Sequence, residues 1–327
     1  MAFSIPELAT KLQTEGDAYK FLEDLRWGEK PVCPHCGVVD DHYFLTPKNG
    51  QSRRTRTGTA SQRRVWKCRA CRKQFSVLTG TIFHGSKIPV RTWVFVVFEM
   101  ASSKNGVSAR EIERKYDLTA KTAWFMLHRI REAMKRDPIA GLLSGRVIAD
   151  ETYIGGKPKN RHRNDRRERS GERKQNPYLT DKTPVLALVS RETGEVRSRG
   201  LPTVTKDTLR DAIAEEADMP NTHLHTDGSF RYPRIAHHFA SHSRVDHEAD
   251  EWVRDDVTTN HAETYFSQLK RSIDGTHHHV SVEHLPRYLA EFDFRYSTHE
   301  NSDTERMGRL VGNVAGRRLI YRDFGQA

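Results

Sequence analysis

The chain has 327 residues, and its 54 lysines and arginines outnumber its 43 aspartates and glutamates, which gives a formal net charge of +11. This basic balance favours polyanions and predicts nucleic acid as the substrate class. No apolar run approaches the roughly 18 residues that a membrane span requires, and the first residues lack the pattern of a secretory signal. We therefore expect a cytoplasmic protein of two or three folded units without a membrane segment.

The four cysteines lie in two CxxC pairs, Cys33/Cys36 and Cys68/Cys71. In a reducing compartment, two such pairs favour a structural zinc ion with four thiolate ligands over disulfides, and no βαβ pattern supports a redox pair. The spacer between the pairs, residues 37–67, is longer than the roughly 15–20 residues usual for a zinc ribbon. Its basic stretch 48–64 indicates either a flexible hairpin tip near DNA phosphate or a solvated run of charge.

Helical periodicity follows the cysteine region. Ser108, with Glu111 three residues later, predicts the start of a helix that ends near Tyr116, and Thr119 predicts the start of a longer helix to about Lys135. This pattern is typical of a DNA-binding helix-turn-helix, although a plain helical hairpin also fits it. The second helix has an apolar side, so its polar side chains are expected to be exposed. Those side chains are Lys121, His128, Arg129 and Arg131, and all but His128 are predicted DNA contacts.

From about residue 145 the pattern alternates in the order β-β-β-α-β-α-β-α, which is typical of an RNase H-like α/β sheet. Helices are predicted over 205–217 and 232–239, and a short strand near 244–247. The first and fourth strands of such a sheet are neighbours. Because Asp150 lies in the first strand and Asp227 follows the fourth, we expect the two side chains to meet.

Glu263, on a later predicted helix, would approach Asp150 and Asp227 from the helix layer. Mg²⁺ prefers carboxylate oxygens, and two such ions clamp the attacking and leaving oxygens of an in-line displacement at a phosphodiester. We therefore predict that the three acids are catalytic and hold Mg²⁺ or Mn²⁺, although each acid taken singly also fits a turn or a helix cap. Asn260 lies one helical turn before Glu263 and is predicted to contact a ligand, a water or the scissile phosphate.

Other polar residues of this region receive different interpretations. Strand alternation places Glu151 on the face opposite Asp150, so we expect a supporting or structural role for it. The acidic stretch 246–256 is interpreted as solvated. The basic run 157–182 is predicted to be an insertion that either follows the DNA backbone or forms a solvated linker. The three consecutive histidines 277–279 are not predicted to bind zinc.

With these motifs in view, the chain resembles DDE-type transposases of bacterial insertion sequences, the group with an N-terminal zinc ribbon and a Merlin-related, ISXO2-like catalytic domain. The motifs that carry the resemblance are the two cysteine pairs and residues 80–83, 150–157 continuing to Asn160 and His162, 226–228, 260–263, 269–271, 275–281 and 291–295. One departure is residues 296–301, where the family usually continues with Asn and a basic residue.

The resemblance implies a function and a set of site residues. Asp150, Asp227 and Glu263 match the family's catalytic acids, and Asn260 matches its characteristic Asn. The implied reaction is metal-dependent cleavage at the terminal inverted repeats of an insertion sequence, followed by attack of the freed 3′-hydroxyl on target double-stranded DNA. A homo-oligomer on paired ends is implied as well. Lys270 and Arg271, in the motif after Glu263, complete the predicted DNA contacts.

The predicted organisation is a helical segment at 1–28, a Cys₄ zinc ribbon at 29–85, a helix-turn-helix domain at 86–138, an RNase H-like catalytic domain at 144–300 with the insertion 157–182, and a tail at 301–327. Two other functions fit the same residues. One is a DNA-binding regulator on an inert RNase H-like scaffold, since a fold alone does not prove activity. The other is a metal-dependent nuclease that releases hydrolysed ends without joining them.

Overall fold

The computed structural model describes residues 3–46, 54, 60–137, 139–155 and 182–321 of the chain. The fold is mixed α/β and divides into two compact units, residues 1–135 with 298–327 and residues 136–297. Nearly all of the predicted insertion 157–182 and most of the basic stretch 48–64 lie outside the described residues. Among the helices described, none is both long and apolar enough to cross a membrane.

The first unit starts with two short helices and a small antiparallel sheet of order β1-β2-β3. Both helices begin at capping boxes, which satisfy free backbone N–H groups of the first turn. The bounds are α1 Ile5–Lys11, α2 Glu15–Trp27, β1 His42–Phe44, β2 Trp66–Cys68 and β3 Gln74–Phe75. The buried Glu23 of α2 accepts hydrogen bonds from Arg64 Nε at 2.7 Å and from Trp66 Nε1 at 2.9 Å, which fixes α2 against the sheet.

Three further helices of this unit are α3 Val90–Ser102, α4 Ala109–Tyr116 and α5 Ala120–Met134. The predicted caps are confirmed, because the side chain of Ser108 accepts from Glu111 N at 3.1 Å and that of Thr119 accepts from Thr122 N at 3.2 Å. Asp117, with a left-handed φ of 50°, ends α4 and turns the chain toward α5. The short turn between α4 and α5 therefore has its expected position.

The predicted exposure of three side chains of α5 is wrong. Lys121 is exposed, but His128, Arg129 and Arg131 are 0 %, 5 % and 1 % exposed. Arg129 donates from Nη2 to the carbonyl oxygen of His84 at 2.6 Å, and its guanidinium lies 5.4 Å from the centroid of the Trp93 ring. The prediction assumed that polar side chains of α5 lie at the surface. Most of the circumference of α5 is buried, however, and the long apolar stem of an arginine can pack in such an environment.

The segment predicted as a tail, residues 301–327, contributes to the fold of the first unit. It contains α9, Asp303–Gly312, which begins at a capping box of Ser302 with Glu305 and packs on α2, α3 and α5. Asn313 then donates from Nδ2 to the carbonyl oxygens of Ala133 and Lys135 at 2.8 and 2.7 Å. Asn313 therefore caps the carboxyl end of α5.

The second unit contains a five-stranded sheet of order β6-β5-β4-β7-β8. The bounds are β4 Leu143–Ile154, β5 Thr183–Ser190, β6 Val196–Gly200, β7 Ala217–Thr226 and β8 Ser241–Arg244. β4 pairs antiparallel with β5 and parallel with β7, while β8 continues the parallel half. The predicted contact between the first and fourth strands of this region is therefore present.

The helices of the second unit are α6 Lys206–Ala214, α7 Asn260–Ser272 and α8 Leu285–Ser297, and α7 continues into a π-helical turn at Ile273–His277. The prediction of one helix at 232–239 is wrong, because two 3₁₀ turns, Tyr232–Arg234 and Ala236–His238, occupy this segment. Its apolar spacing of three and four residues suits such turns as well as an α-helix. The strand predicted near 244–247 lies earlier, at β8, and a further two-stranded sheet consists of β9 Val253–Arg254 and β10 Val257–Thr258.

The strands β4 and β5 separate two apolar cores. Ile148 and Ile154 of β4 pack in the core that contains α7 and α8, whereas Val147 and Ala149 pack in the core that contains α6 and Tyr232. Side chains alternate between the faces of a strand. Asp150 therefore shares the face of α7, and Glu151 points to the other face, as predicted.

A buried hydrogen-bond cluster attaches α7 and α8 to the edge strand β6. Asp293 of α8 accepts from the Tyr265 hydroxyl at 2.7 Å, from the Ser198 hydroxyl at 2.7 Å and from Ser198 N at 2.9 Å. Burial raises the pKa of Asp293 to about 7, against the opposing effect of these hydrogen bonds. Because Tyr265 lies two residues after Glu263, this cluster also sets how α7 lies on the sheet.

Tyr265→Phe is expected to lower the free energy of unfolding by about 1–3 kcal/mol, because it leaves a buried carboxylate oxygen with one donor fewer. Urea unfolding followed by circular dichroism measures the change. Tyr153→Phe, which removes a hydroxyl from a 42 % exposed tyrosine, serves as the control and should change stability far less. Equal effects of the two substitutions would contradict the role of the cluster.

Candidate active site and metal centre

The parallel register of β4 and β7 positions the two aspartates. Ile148 is opposite His225, so two residues further along both strands Asp150 comes beside Asp227. Local backbone groups orient both carboxylates, since Glu151 N donates to Asp150 Oδ1 at 2.7 Å and Ser229 N donates to Asp227 Oδ1 at 3.0 Å. The predicted meeting of these two side chains follows from this pairing, with Asp150 inside β4 and Asp227 directly after the carboxyl end of β7.

Asp150 lies in an environment that disfavours its negative charge. Burial raises the pKa of Asp150 to about 7, and the charges of Asp227, Glu151 and Glu263 add to the effect. Carboxylates from β4, β7 and α7 are thus close enough to repel one another. A cation bound among them would remove this repulsion, which is how such a cluster is normally stabilised.

Glu263 is in the first turn of α7 and has two polar neighbours. Thr259 Oγ1 donates to Glu263 Oε1 at 3.1 Å, and His247 Nε2 lies 3.7 Å from the same oxygen and 3.2 Å from Thr259 Oγ1. The positive end of the helix dipole also favours a carboxylate in this turn. Asn260 is exposed one turn earlier, and its backbone N donates to Thr258 Oγ1 at 3.2 Å.

The chemistry of the three acids suits a hydrated divalent ion. Mg²⁺ keeps several waters and binds through one or two carboxylates. The oxygen-only donor set and the mutual repulsion of the acids both fit such ions.

Glu151, Tyr232 and His247 were not identified as site residues from the sequence. Burial raises the pKa of Glu151 to about 7, and its Oε1 has no hydrogen-bond partner. The hydroxyl of the buried Tyr232 opposes this rise, whereas the charge of Asp227 adds to it. The alternation of side chains along β4 predicted the face on which Glu151 lies. Its neighbours Tyr232 and Asp227 are distant in the sequence, and no local pattern indicated them.

The acidic stretch 246–256 makes ion pairs and hydrogen bonds of its own. Glu251 pairs with Arg254, and Asp256 pairs with Arg146, with 3.1 Å between Asp256 Oδ2 and Arg146 Nη1. His247, within the same stretch, contacts Glu263. The interpretation of a solvated stretch therefore misses the contact that joins it to α7.

The predicted DNA contacts differ in accessibility. Lys270 and Arg271 are exposed in the last turn of α7, and Lys121 is exposed in α5. Arg129 and Arg131 are buried, so they do not present their guanidinium groups at the surface of this structure. Their burial is a correction to the predicted set, while the three exposed cations remain available to a phosphate backbone.

The four cysteine thiols converge beside β2 and β3. Cys33 Sγ lies 3.7 Å from Cys71 Sγ, and Cys36 Sγ lies 3.6 Å from Cys68 Sγ. Four sulfurs around one zinc ion, each at about 2.3 Å, are separated by about 3.8 Å in a tetrahedron. A hydrogen bond from the backbone of Lys73 lowers the pKa of the Cys71 thiol to about 7. The geometry and the donor set therefore fit a single zinc ion.

The comparisons with known proteins agree with this description. Residues 142–297 match the family described as the ISXO2-like transposase domain, and residues 13–74 match the transposase zinc-ribbon domain. The chain is 27% identical over 285 residues to an uncharacterized protein in transposable element ISH50 of Halobacterium salinarum, covering 86% of this chain and 90% of that protein. The chain therefore contains a domain of the ISXO2-like insertion-sequence transposases and a transposase zinc-ribbon domain. These two matches confirm the resemblance found in its motifs.

One solved structure is more distant. A chain of the simian T-cell lymphotropic virus intasome in complex with PP2A regulatory subunit B56 gamma aligns with 61% of this chain and 65% of its own length. The identity is 14% and the TM-score is 0.27. A score this low does not support a shared fold.

Substitution of Cys68, which is buried at the sheet, is expected to abolish stoichiometric zinc in the purified protein and to expose the ribbon to proteolysis, since structural zinc contributes directly to folding. Metal analysis and limited proteolysis measure both effects in Cys68→Ser. The control is Ala70→Ser, an exposed change within the same CxxC loop. Retention of one zinc per chain in Cys68→Ser would show that these thiols do not form a four-ligand site.

The raised pKa of Asp150 predicts a pH-dependent effect on stability in the absence of Mg²⁺ and Mn²⁺. Because the folded-state pKa of about 7 exceeds the usual 3.8, ionisation of Asp150 destabilises the fold as the pH rises through 7. Asp150→Asn should therefore raise the melting temperature at pH 8 in zinc-loaded protein in buffer without Mg²⁺, Mn²⁺ or chelator, and this gain should shrink as the pH falls toward 4. The exposed substitution Asp255→Asn is the control. A gain that does not vary with pH would contradict the prediction.

Proposed function

We propose that the protein is a DDE transposase that cleaves DNA at the ends of an insertion sequence and joins the freed 3′ ends to target DNA. The observation that carries the proposal is the convergence of Asp150 in β4 with Asp227 after β7 and Glu263 in α7, which appears in the effect of the charges of Asp227 and Glu263 on the pKa of Asp150. The match of residues 142–297 to the ISXO2-like transposase domain supports this assignment. The sheet order β6-β5-β4-β7-β8 with α7 against β4 supports an RNase H-like fold.

The three acids are proposed to hold Mg²⁺ or Mn²⁺. When bound, the ions would supply a nucleophile at neutral pH and stabilise the charge on the attacking and leaving oxygens of a phosphodiester. Asp150, Asp227 and Glu263 would hold the ions in one place for both water and a 3′-hydroxyl as nucleophile, so one site would be sufficient for cleavage and joining. The protein's contribution is to fix the ligands before DNA binds.

Individual residues have separate tasks in this proposal. Asp150 and Asp227 are fixed by strand pairing and by backbone N–H groups, whereas Glu263 is oriented by Thr259 and His247. Asn260, exposed on the same helix turn, is proposed to hydrogen-bond the scissile phosphate or its water. Its uncharged amide donates to phosphate without adding another negative charge to the cluster.

DNA binding is proposed to involve the exposed cations of both units. Lys270 and Arg271 lie in the last turn of the helix that carries Glu263, and Lys121 lies in the first turn of α5, the second helix of the proposed helix-turn-helix. The net charge of +11 agrees with a polyanionic partner. The four cysteines are proposed to hold a structural zinc ion, and pairing of two element ends implies a homo-oligomer.

Labelled DNA that carries the element's ends tests the proposal, with Mg²⁺ or Mn²⁺ present and with formation of nicked and joined products as the readout. Asp150→Asn and Glu263→Gln should each lower both products at least about 100-fold, because each removes a carboxylate that would hold the ions that stabilise the transition state. Glu283→Gln, an exposed change in the second unit, is the matched control. DNA binding should survive in all three variants.

Two outcomes would replace the proposal by another function. Binding of the ends without metal-dependent cleavage, in protein with a loaded zinc site, would indicate a regulator. Cleavage without joined products would indicate a nuclease, because hydrolysis and strand transfer differ only in the nucleophile.

A further inference from the structure

Trp252 is an exposed aromatic residue that is fixed by a stacking contact. Its ring is 50 % exposed and is stacked on the imidazole of His247, with 4.5 Å between the ring centroids and 29° between the planes. One face of the indole is therefore covered, and the opposite face is available to a partner. Single exposed apolar residues are common on protein surfaces, so exposure alone indicates no function.

The position of the supporting imidazole distinguishes Trp252 from such residues. His247 Nε2 lies 3.7 Å from Glu263 Oε1 and 3.2 Å from Thr259 Oγ1. Two successive contacts thus connect the indole with a carboxylate that the proposed function assigns to catalysis. A planar group stacked on Trp252 would lie beside the scissile phosphate when that phosphate is at the acids.

A second exposed aromatic ring with cations nearby follows another of the acids. Phe230, 62 % exposed, comes three residues after Asp227, and the guanidinium groups of Arg231 and Arg234 lie 4.7 and 5.6 Å from its ring centroid. Exposed rings accompanied by arginines suit nucleic acid, since bases stack on the rings and phosphates pair with the cations. The surroundings of two acids therefore favour a nucleotide over an apolar protein partner.

We propose that Trp252 is a stacking platform for a nucleobase that leaves the duplex next to the scissile phosphodiester. The inference rests on the proposed function and specifies its substrate as a locally unstacked DNA end. A base pair next to the cut holds the scissile phosphate in duplex geometry. Opening this base pair costs free energy, and stacking of the freed base on an aromatic side chain offsets that cost. His247 fixes the orientation of the indole, so the platform exists before DNA binds.

The test compares wild type, Trp252→Ala and Trp252→Phe in single-turnover cleavage of labelled element ends with Mg²⁺. Trp252→Ala should slow cleavage of fully paired ends roughly 10- to 100-fold, as expected for the loss of one base–aromatic stack. Trp252→Phe should retain most of the rate because it keeps a ring. Val282→Ala, which removes an apolar side chain that is 66 % exposed in the same unit, should have no effect.

A series of ends with one abasic nucleotide at each position around the cut separates stacking from a general structural role. At the position of the stacked base there is no ring to stack, so wild type and Trp252→Ala should cleave that substrate at equal rates. Equal rates on fully paired ends, or the same deficit of Trp252→Ala at every abasic position, would overturn the platform while leaving the transposase proposal intact. Failure of wild type to cleave any end would instead overturn the proposed function, and the platform with it.

Discussion

The parallel pairing of β4 with β7 is the constraint on which the rest of the second unit depends. It places Asp150 beside Asp227 although the two residues are far apart in the chain, and it does so with a register that backbone hydrogen bonds fix. β4 is the central strand and is covered by apolar cores on both faces, so this register cannot shift by one residue without exchanging the two cores. The repulsion between the acids is therefore imposed by the fold.

The placement of α7 follows from this sheet. Tyr265, Phe266 and Leu269 fill the core over β4 and β5, and the hydrogen bonds of Tyr265 with Ser198 and Asp293 attach the helix to β6 and α8. The Tyr296 hydroxyl adds a hydrogen bond to the carbonyl oxygen of His261 at 3.1 Å. With its buried side held in this way, α7 places Glu263 near Asp150. An unfavourable group of carboxylates is thus maintained by contacts made elsewhere in the core.

Local patterns predicted local features well. The caps at Ser108 and Thr119, the strand before Asp227 and the opposite faces of Asp150 and Glu151 all depend on hydrogen bonds or alternation within a few residues. The convergence of the cysteines was also predicted, because CxxC spacing restricts the possible ligand geometry.

Features that depend on tertiary contacts were missed or predicted wrongly. The burial of Arg129 depends on His84 and Trp93, which lie outside α5. The packing of α9 on α2 and α3 is likewise not encoded in the mostly polar sequence of α9. The contact of His247 with Glu263 joins a loop to a helix start, and no periodicity encodes it. Residues supporting the site were therefore harder to identify than its acids.

Asp150, Asp227 and Glu263 are proposed to form one shared site for divalent cations. Fe²⁺ can replace Mg²⁺ at oxygen-ligand sites, and with ascorbate and peroxide it cleaves the polypeptide backbone near the bound ion. Mass spectrometry of zinc-loaded protein should locate cuts near Asp150, Asp227 and Glu263, and excess Mg²⁺ should suppress all of them together. Cuts confined to the acidic stretch 246–256, or cuts at the three acids that Mg²⁺ suppresses at different concentrations, would contradict a single shared site.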